Sequence, residues 1–257
     1  MLKRKPYPIL EFDPSPKAYF QPPGNNSYKN REFHERVVFC FFKDVVDQLI
    51  KKRRARKIAA FWSEMGEHPA YEVRAKGGKV SVMHPGIGSS LAAGFLDECI
   101  AMGGRKFVAC GGAGVLQDLA LGHLIVPTSA VRDEGASYHY QPPAREVAPH
   151  PKAVAAIKKT LAKHEVPFVT GKTWTTDGFY RETREKLKAR KMEGCISVEM
   201  ECAAFFAVAR FRKVQCGQIL YSGDDLSGET HNNRDWQKRG SIREKVFWLA
   251  VEACLQM

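Results

Sequence analysis

The sequence has no Cys-x-x-Cys pair and no other zinc or redox motif. Its seven cysteines are an odd number and are scattered through apolar runs. Structural zinc sites and dithiol redox sites need closely spaced ligands, so the sequence argues against both. We predict reduced thiols in the core, as in a cytoplasmic protein, and neither a metal site nor a cofactor.

Long apolar runs are also missing. No stretch approaches the roughly 18 uninterrupted apolar residues of a membrane-spanning helix. Residues 1–30 are rich in Pro, Asn, Lys and Tyr, and they lack the apolar core of a secretory signal and any helical or alternating pattern. The sequence therefore predicts an extended arm over residues 1–30 and one folded domain over residues 31–257, with no membrane partner.

Acidic residues are fewer than basic ones, 28 against 40, which gives a formal net charge of +12. The densest basic run, residues 51–57, falls on a predicted helix. No nucleic-acid-binding signature accompanies it, so a solvated helix face is the favoured interpretation and a nucleic-acid-binding protein a minor alternative. A positive molecule also favours a small anionic substrate such as phosphate.

Strand-like and helix-like segments alternate along the chain, and there is no internal repeat. The predicted strands cover residues 37–42, 79–83, 106–110, 124–127, 167–170, 195–198 and 215–221. The predicted helices cover residues 44–61, 89–102, 151–164, 182–191, 203–209 and 241–255. Such alternation predicts a single-domain α/β fold of three layers, with helices on both faces of a mixed, largely parallel central sheet.

Two glycine clusters, residues 84–90 and 111–114, follow predicted strands. Neither is a dinucleotide-binding fingerprint, because the first lacks the third glycine and the second is expected to open a loop. Glycine lets a ligand approach the backbone closely, and free N–H groups attract anions. We therefore take Gly111 and Gly112 as substrate-binding candidates; tight packing is the alternative.

Carboxylates follow two predicted strands. Glu199 and Glu201 flank Met200 between an apolar strand and an apolar helix, and Asp224 and Asp225 follow the next strand. A buried carboxylate without a partner costs several kcal/mol, so a hydroxyl-rich ligand is one explanation of the pair of glutamates. Helix capping explains the glutamates and a solvated turn the aspartates in the alternative interpretation. The carboxyl ends of strands are where α/β sheets bind ligands.

Taken together, these motifs resemble the superfamily of nucleoside phosphorylases and uridine phosphorylases. The resemblance covers about residues 80–257 and lies, in the family's order, in residues 81–88, 110–114, 131–137, 176–180, 198–201 and 223–225. It implies a phosphorylase-like fold and a pentosyltransferase that cleaves a nucleoside with phosphate, giving free base and ribose 1-phosphate. It also implies a homo-oligomer, either a dimer or a hexamer built from dimers.

The resemblance assigns roles to the substrate-binding residues. Glu201 would accept hydrogen bonds from the ribose 2′ and 3′ hydroxyls, and Met200 would pack on the apolar face of the sugar. Phe179 would stack on the base, with Tyr180 helping or filling core, and Val198 would line the base pocket. Glu199 belongs to the same set, with a less defined role.

The resemblance places the leaving-group acid at Asp224, which would protonate a purine at N7. Asp225 is the alternative position for this acid. Arg239 matches the arginine that assists the acid in the family, and Arg234 competes for that place. Cleavage passes through an oxocarbenium-like state, so neutralising the departing base is where such an acid helps.

The chain departs from the family at the phosphate site. The glycine-rich loop and arginine after the first strand are replaced by residues 41–46, and the position of a second arginine is Ala109. Lys43, Gly86 and Gly88 are the candidates that remain for phosphate, together with a neighbouring subunit. A nucleosidase that uses water is therefore an alternative, although no carboxylate can be assigned to activate the water.

The base is left open as well. Residues 131–139 resemble uridine phosphorylase, whereas the segment after Tyr180 lacks the insertion that offers glutamine and arginine to uracil. Asp224 favours a purine, with a uridine phosphorylase as the alternative.

Overall fold

A ten-stranded mixed sheet forms the centre of the protein, which a computed structural model describes over residues 2–22 and 33–257. Its strands are β1 Arg36–Cys40, β2 Ala55–Ser63, β3 Gly66–Ala75, β4 Gly78–Met83, β5 Lys106–Val115, β6 Leu124–Asp133, β7 Glu146–Val147, β8 Phe168–Thr176, β9 Cys195–Glu199 and β10 Gln215–Asp225. The helices are α1 Lys43–Lys51, α2 Ser89–Ala101, α3 Pro151–Lys163, α4 Arg184–Met192, α5 Cys202–Arg212 and α6 Gly240–Leu255.

Parallel pairings run through the middle of the sheet. Strand β1 pairs with β4 and with β5, and β5 also pairs with β10. Strand β8 pairs with β6 on one side and with β9 on the other. β10 also pairs with β6, and β9 with β5, both antiparallel. Strands β5, β9, β8, β6 and β10 therefore close into a ring, which gathers their ends around one space.

Helices cover both faces of the sheet. Helices α2 and α5 supply one core cluster, and α1, α3 and α6 supply the other. Helix α5 is apolar on nearly every side and its residues 202–209 are all buried, as expected for a helix between a sheet and a second helix. The three-layer α/β/α architecture is confirmed.

The predicted helix over residues 44–61 is wrong beyond Lys51. The chain turns there and enters the β2–β3 hairpin, which closes through Gly66 at φ 98°. Arg, Lys and Ala favour a helix locally, but pairing with β3 and burial of Phe61 outweigh that preference. The basic run at residues 51–57 is consequently split between a helix end, a turn and a strand, and its charged side chains are exposed.

The glycines at residues 111–114 do not open a loop either. They continue β5 to Val115, paired with β10 on one side and β9 on the other. The predicted strands at residues 124–127, 167–170 and 215–221 are likewise the first parts of longer strands. These extensions carry the strands to the site described below.

The remaining global predictions concern the cysteines and the ends of the chain. All seven cysteines are buried free thiols, as predicted. Within residues 2–22, regular structure is limited to one short turn at Pro8–Leu10, and residues 23–30 of the predicted arm lie outside the described residues. None of the described helices combines the length and the apolar character needed to cross a membrane.

Candidate active site

A cleft of about 510 Å³ opens where the carboxyl ends of β1, β5, β9 and β10 meet. Four carboxylates line it, from Glu182, Glu199, Glu201 and Asp224. The rest of its lining comprises the glycine segment of β5, aromatic rings, apolar side chains including Met200, and the polar side chains of Gln218, Gln237 and Arg243. Burying four carboxylates together is costly, so the cleft is shaped for a ligand that donates hydrogen bonds.

Glu199 is held entirely by the protein. One carboxylate oxygen accepts hydrogen bonds from the backbone N–H groups of Glu201 and Cys202, at 2.7 and 2.6 Å. The other accepts from the Thr175 hydroxyl at 2.6 Å. Burial raises the pKa of this carboxyl group, and these hydrogen bonds act in the opposite direction. Glu199 therefore caps helix α5 and fixes the backbone on which the next carboxylate sits.

Glu201 is buried but only partly satisfied. Its side chain accepts one hydrogen bond, from the backbone N–H of Gly88 to Oε1 at 2.7 Å, and Glu201 is only 6% exposed. Burial, and then the charge of Glu199, raise its pKa to about 8. Its second oxygen is the one available to a ligand, beside the partly exposed Met200.

The side chains of the two aspartates at the end of β10 have different surroundings. Asp224 lines the cleft, and its Oδ2 lies 2.8 Å from Nε2 of His231. Asp225 instead accepts a hydrogen bond from the backbone N–H of Ser227 at 2.8 Å and pairs with the Arg234 guanidinium. Asp225 and Arg234 thus hold the turn that follows β10, and Asp224 is the member of the pair that faces a ligand.

The predicted base-binding residues lie on one wall. Phe179 and Val198 line the cleft. Tyr180 packs its ring against Phe179 at a centroid distance of 4.2 Å but is 89% exposed, so it does not fill core. Trp236 is also part of the lining; a Cβ atom added to Gly112 would lie 3.0 Å from its ring. The absence of that atom lets the indole approach β5.

The arginine predicted to assist the acid is not the arginine that lines the cleft. Arg239 does not line the cleft and donates to the backbone carbonyl of Arg234 at 3.1 Å. Arg243, one helical turn further along α6, does line it; its guanidinium lies 3.0 Å from Asp44 and over the Phe42 ring. Sequence spacing could have suggested this, because residues four apart share a helix face.

The candidates for phosphate lie at the edge of the cleft or away from it. Lys43 is exposed and paired with Asp47 at 2.6 Å. The N–H of Gly86 points to Nδ1 of His84 at 3.1 Å, and that of Gly88 is already donated to Glu201. Gly111 and Gly112 do line the cleft.

The side chain of Asp177 connects two of the segments that carry the sequence motifs. Its carboxylate accepts hydrogen bonds from the Ser89 hydroxyl at 2.5 Å and from the backbone N–H of Gly135 at 2.8 Å. It therefore ties the start of helix α2 to the turn after β6, next to the strand end that carries Phe179. Neither this role nor the presence of Glu182, Trp236 and Arg243 in the cleft was predicted from the sequence.

A cleft of this composition at the ends of parallel strands is typical of enzymes that bind small polar metabolites. The chain belongs to the phosphorylase superfamily, whose family description matches residues 35–255. It is 31% identical over 186 residues to a uridine phosphorylase of Treponema pallidum, covering 68% of this chain and 71% of that protein. It is 28% identical over 160 residues to a guanosine phosphorylase of Halorubrum lacusprofundi, covering 62% of this chain and 66% of that protein.

Solved structures agree on the fold. A purine nucleoside phosphorylase from Toxoplasma gondii in complex with immucillin-H aligns with a TM-score of 0.77 at 17% identity, over 93% of this chain and 96% of that one. A uridine phosphorylase from Vibrio fischeri aligns with a TM-score of 0.74 at 24% identity, over 92% and 96% of the two chains.

Proposed function

We propose that this protein cleaves the N-glycosidic bond of a purine ribonucleoside with phosphate, releasing free base and ribose 1-phosphate. The observation that carries the proposal is the meeting of Glu201, Met200, Phe179 and Asp224 in one cleft. These side chains match the needs of a sugar, an aromatic base and a leaving-group acid. Membership of the phosphorylase superfamily supports the same reaction class.

The sugar would bind at the junction of β9 and α5. Glu201 has one oxygen occupied by the Gly88 N–H and one free, and it is almost fully buried. Two adjacent ribose hydroxyls donate hydrogen bonds, which favour the ionised carboxylate and offset its burial. Met200 supplies an apolar surface for the sugar ring. The cost of desolvating Glu201 is thereby recovered when ribose binds.

The base would leave toward Asp224. Positive charge develops on the sugar as the bond breaks, and negative charge on the base, so a proton delivered to N7 lowers the barrier. His231 lies within hydrogen-bonding distance of Asp224 and is the group from which the proton could be drawn. Arg243 rather than Arg239 is the cation beside this end of the cleft.

Phosphate would approach from the glycine segment of β5. Residues 111–114 are glycines except for Ala113, so they bring backbone close to the cleft, and Arg243 is partly buried in the wall of the cleft. The positive charge of the whole molecule would raise the local concentration of a small anion.

Incubation of the purified protein with inosine, guanosine, adenosine and uridine, each with and without phosphate, tests the proposal. We expect release of a purine base that depends on phosphate, together with formation of ribose 1-phosphate. Absence of phosphate-dependent base release from all four nucleosides would refute a nucleoside phosphorylase. Preferential cleavage of uridine would instead move the protein to the uridine phosphorylases.

Hydrolysis is the second candidate, favoured by the charges in the cleft. Among the described lining residues, Arg243 is the one Lys or Arg side chain, and it is paired with Asp44. Four carboxylates line the same cleft. An attacking phosphate dianion would meet that negative field, whereas water would not. Equal rates of base release with and without phosphate, with free ribose as product, would identify a nucleosidase.

A further inference from the structure

The proposed reaction assigns no role to Glu182, although this residue lines the cleft. It follows Phe179 by three residues, at the end of the short turn Phe179–Arg181, and both residues line the cleft. Glu182 is partly buried. Its carboxylate makes no hydrogen bond to any residue that the structure describes, whereas Glu199, Glu201 and Asp224 each have at least one partner. Both of its oxygens are therefore available to a ligand.

The surroundings of Glu182 are electrostatically defined. Burial, and then the charge of Asp224, raise its pKa to about 7, while His231 and Lys186 act in the opposite direction. Asp224 and Glu182 line the same cleft, where the charge of one acts on the other. A carboxylate kept partly out of water, without a partner, gains most from a ligand that donates hydrogen bonds to both oxygens.

We propose that Glu182 recognises the base and selects guanine nucleosides, by accepting hydrogen bonds from N1–H and from the 2-amino group. This inference rests on the proposed function, since it assumes that the base lies on Phe179 beside Asp224. Guanine carries two adjacent donors on that edge, in the same fork-like arrangement by which arginine engages a carboxylate. Asp224 would meet the other edge of the purine, at N7.

Other bases match this carboxylate less well. Adenine has an acceptor at N1 and no 2-amino group, so an ionised Glu182 would face a lone pair. Uracil has one N–H donor between two carbonyl oxygens, so the second carboxylate oxygen would face an acceptor. Hypoxanthine keeps N1–H but lacks the 2-amino group. The expected order is therefore guanosine, then inosine, then adenosine and uridine, because unpaired polar groups penalise the wrong substrate strongly.

Titration of Glu182 adds a signature. Below about pH 7 the carboxyl group is protonated and becomes a donor, which suits the N1 acceptor of adenine. The ratio of kcat/KM for guanosine to that for adenosine should then fall as the pH is lowered from 8 to 6. Glu201 acts on the ribose, which both nucleosides share, so its titration cancels from the ratio.

The test compares wild type with Glu182→Gln and Glu182→Ala, and uses Glu185→Gln as the matched control. Glu185 is exposed and lies in the first turn of helix α4. Binding of 9-methylguanine and 9-methyladenine is measured by calorimetry, and kcat/KM is measured for guanosine and adenosine. Both Glu182 variants should bind 9-methylguanine at least tenfold more weakly, with binding of 9-methyladenine changed less than threefold and the control unchanged. Thermal unfolding verifies that all variants are folded.

The two measurements separate the inference from the reaction. Loss of 9-methylguanine binding in both Glu182 variants supports base recognition even if no nucleoside is cleaved, in which case only the reaction is wrong. Unchanged 9-methylguanine binding in folded variants overturns the inference, whether or not nucleosides are cleaved. A wild-type protein that binds 9-methyladenine more tightly than 9-methylguanine at pH 8 overturns it as well.

Discussion

At the scale of single residues, two glutamates two positions apart have different surroundings. Both carboxylate oxygens of Glu199 accept hydrogen bonds, from Thr175 and from the backbone at the start of helix α5. Glu201 accepts one from Gly88 through Oε1, which leaves its other oxygen for a ligand. The two interpretations of the segment therefore apply to different residues, and ligand binding stays a prediction. Helix capping accounts for Glu199, and ligand binding is the role left for Glu201.

Replacing Asp224 by Asn tests the leaving-group acid. The amide keeps the shape but cannot deliver a proton, so we expect kcat to fall about 100-fold or more, the usual contribution of a general acid. Nucleoside binding should persist, because the ribose contacts lie at Glu201. Steady-state kinetics and calorimetry measure the two effects. The control is Glu229→Gln, on the exposed turn after β10; unchanged activity of the Asp224 variant would move the acid elsewhere.

The raised pKa of Glu201 predicts how stability depends on pH. The carboxyl titrates at about pH 8 in the folded protein, against 4.5 for the free group. Between these values the folded protein keeps a proton that the unfolded chain has released, so the contribution to stability falls as the pH rises. The full effect is of order a few kcal/mol.

Glu201→Gln removes this titration. We expect the melting temperature of wild type to drop more between pH 6 and pH 9 than that of the variant, in thermal unfolding without ligand. The exposed Glu64→Gln should follow wild type. Identical pH profiles for wild type and the Glu201 variant would contradict a buried, protonated Glu201.

At the scale of elements, the connection from β4 to α2 sets the position of Glu201. Gly86 has φ 79° and Gly88 has φ 89°, a conformation that residues other than glycine rarely adopt. This turn aims the Gly88 N–H at Glu201 and places the Ser89 hydroxyl against Asp177. Gly88 therefore positions the Glu201 carboxylate directly, and the alternative of tight packing holds for Gly86.

Gly86→Ala should damage both stability and substrate binding. An added Cβ would lie 2.3 Å from Cδ2 of Leu91, in a left-handed conformation that costs about 1–2 kcal/mol. We expect a lower melting temperature and a raised KM for the nucleoside. Gly94→Ala is the matched control, because Gly94 lies within α2 with nothing within 4 Å of the added Cβ. It should stabilise the helix by up to about 1 kcal/mol; equal behaviour of the two variants would refute this account.

At the scale of the whole molecule, charge is unevenly distributed. The chain carries a formal charge of +12, yet the lining of the cleft includes four carboxylates and one arginine. The excess of basic groups therefore lies outside the cleft, partly in the exposed run at residues 51–57. A substrate that donates hydrogen bonds fits the interior of the cleft, and a mobile anion fits the surrounding field.

We also predict that the protein is a homo-oligomer in solution. Large apolar side chains are exposed at the tip of the β2–β3 hairpin and beside the cleft, among them Trp62 at 67%, Met65 at 79% and Ile87 at 69%. Exposed apolar side chains that cluster, as Trp62 and Met65 do at this hairpin tip, often mark a surface that binds another protein. Sedimentation analysis should give a multiple of 28.9 kDa, and the Trp62→Ser, Met65→Ser variant should dissociate. A monomeric wild type at micromolar concentration would contradict the prediction.

Much of the layered architecture was predictable because apolar runs of strand and helix length alternate along most of the chain. The hairpin at residues 55–75 was not, since its first strand is rich in helix-forming residues and is stabilised by pairing with β3. The glycines of β5 were expected to end the strand, but pairing on both sides carries it through to Val115. In both places, contacts distant in sequence decided the local conformation.

The sequence by itself determined the segment proposed to bind the sugar, because Glu199, Met200 and Glu201 are neighbours in the chain and a strand-to-helix junction needs no distant contact to bring them together. The tertiary structure alone decided which carboxylate and which arginine face the cleft. Asp224 differs from Asp225 in the direction of its side chain, and Arg243 lies one helical turn beyond Arg239, so packing against other elements decides which of each pair lines the cleft. Glu182 joined the site for the same reason: closure of the ring of strands brings its turn beside β10.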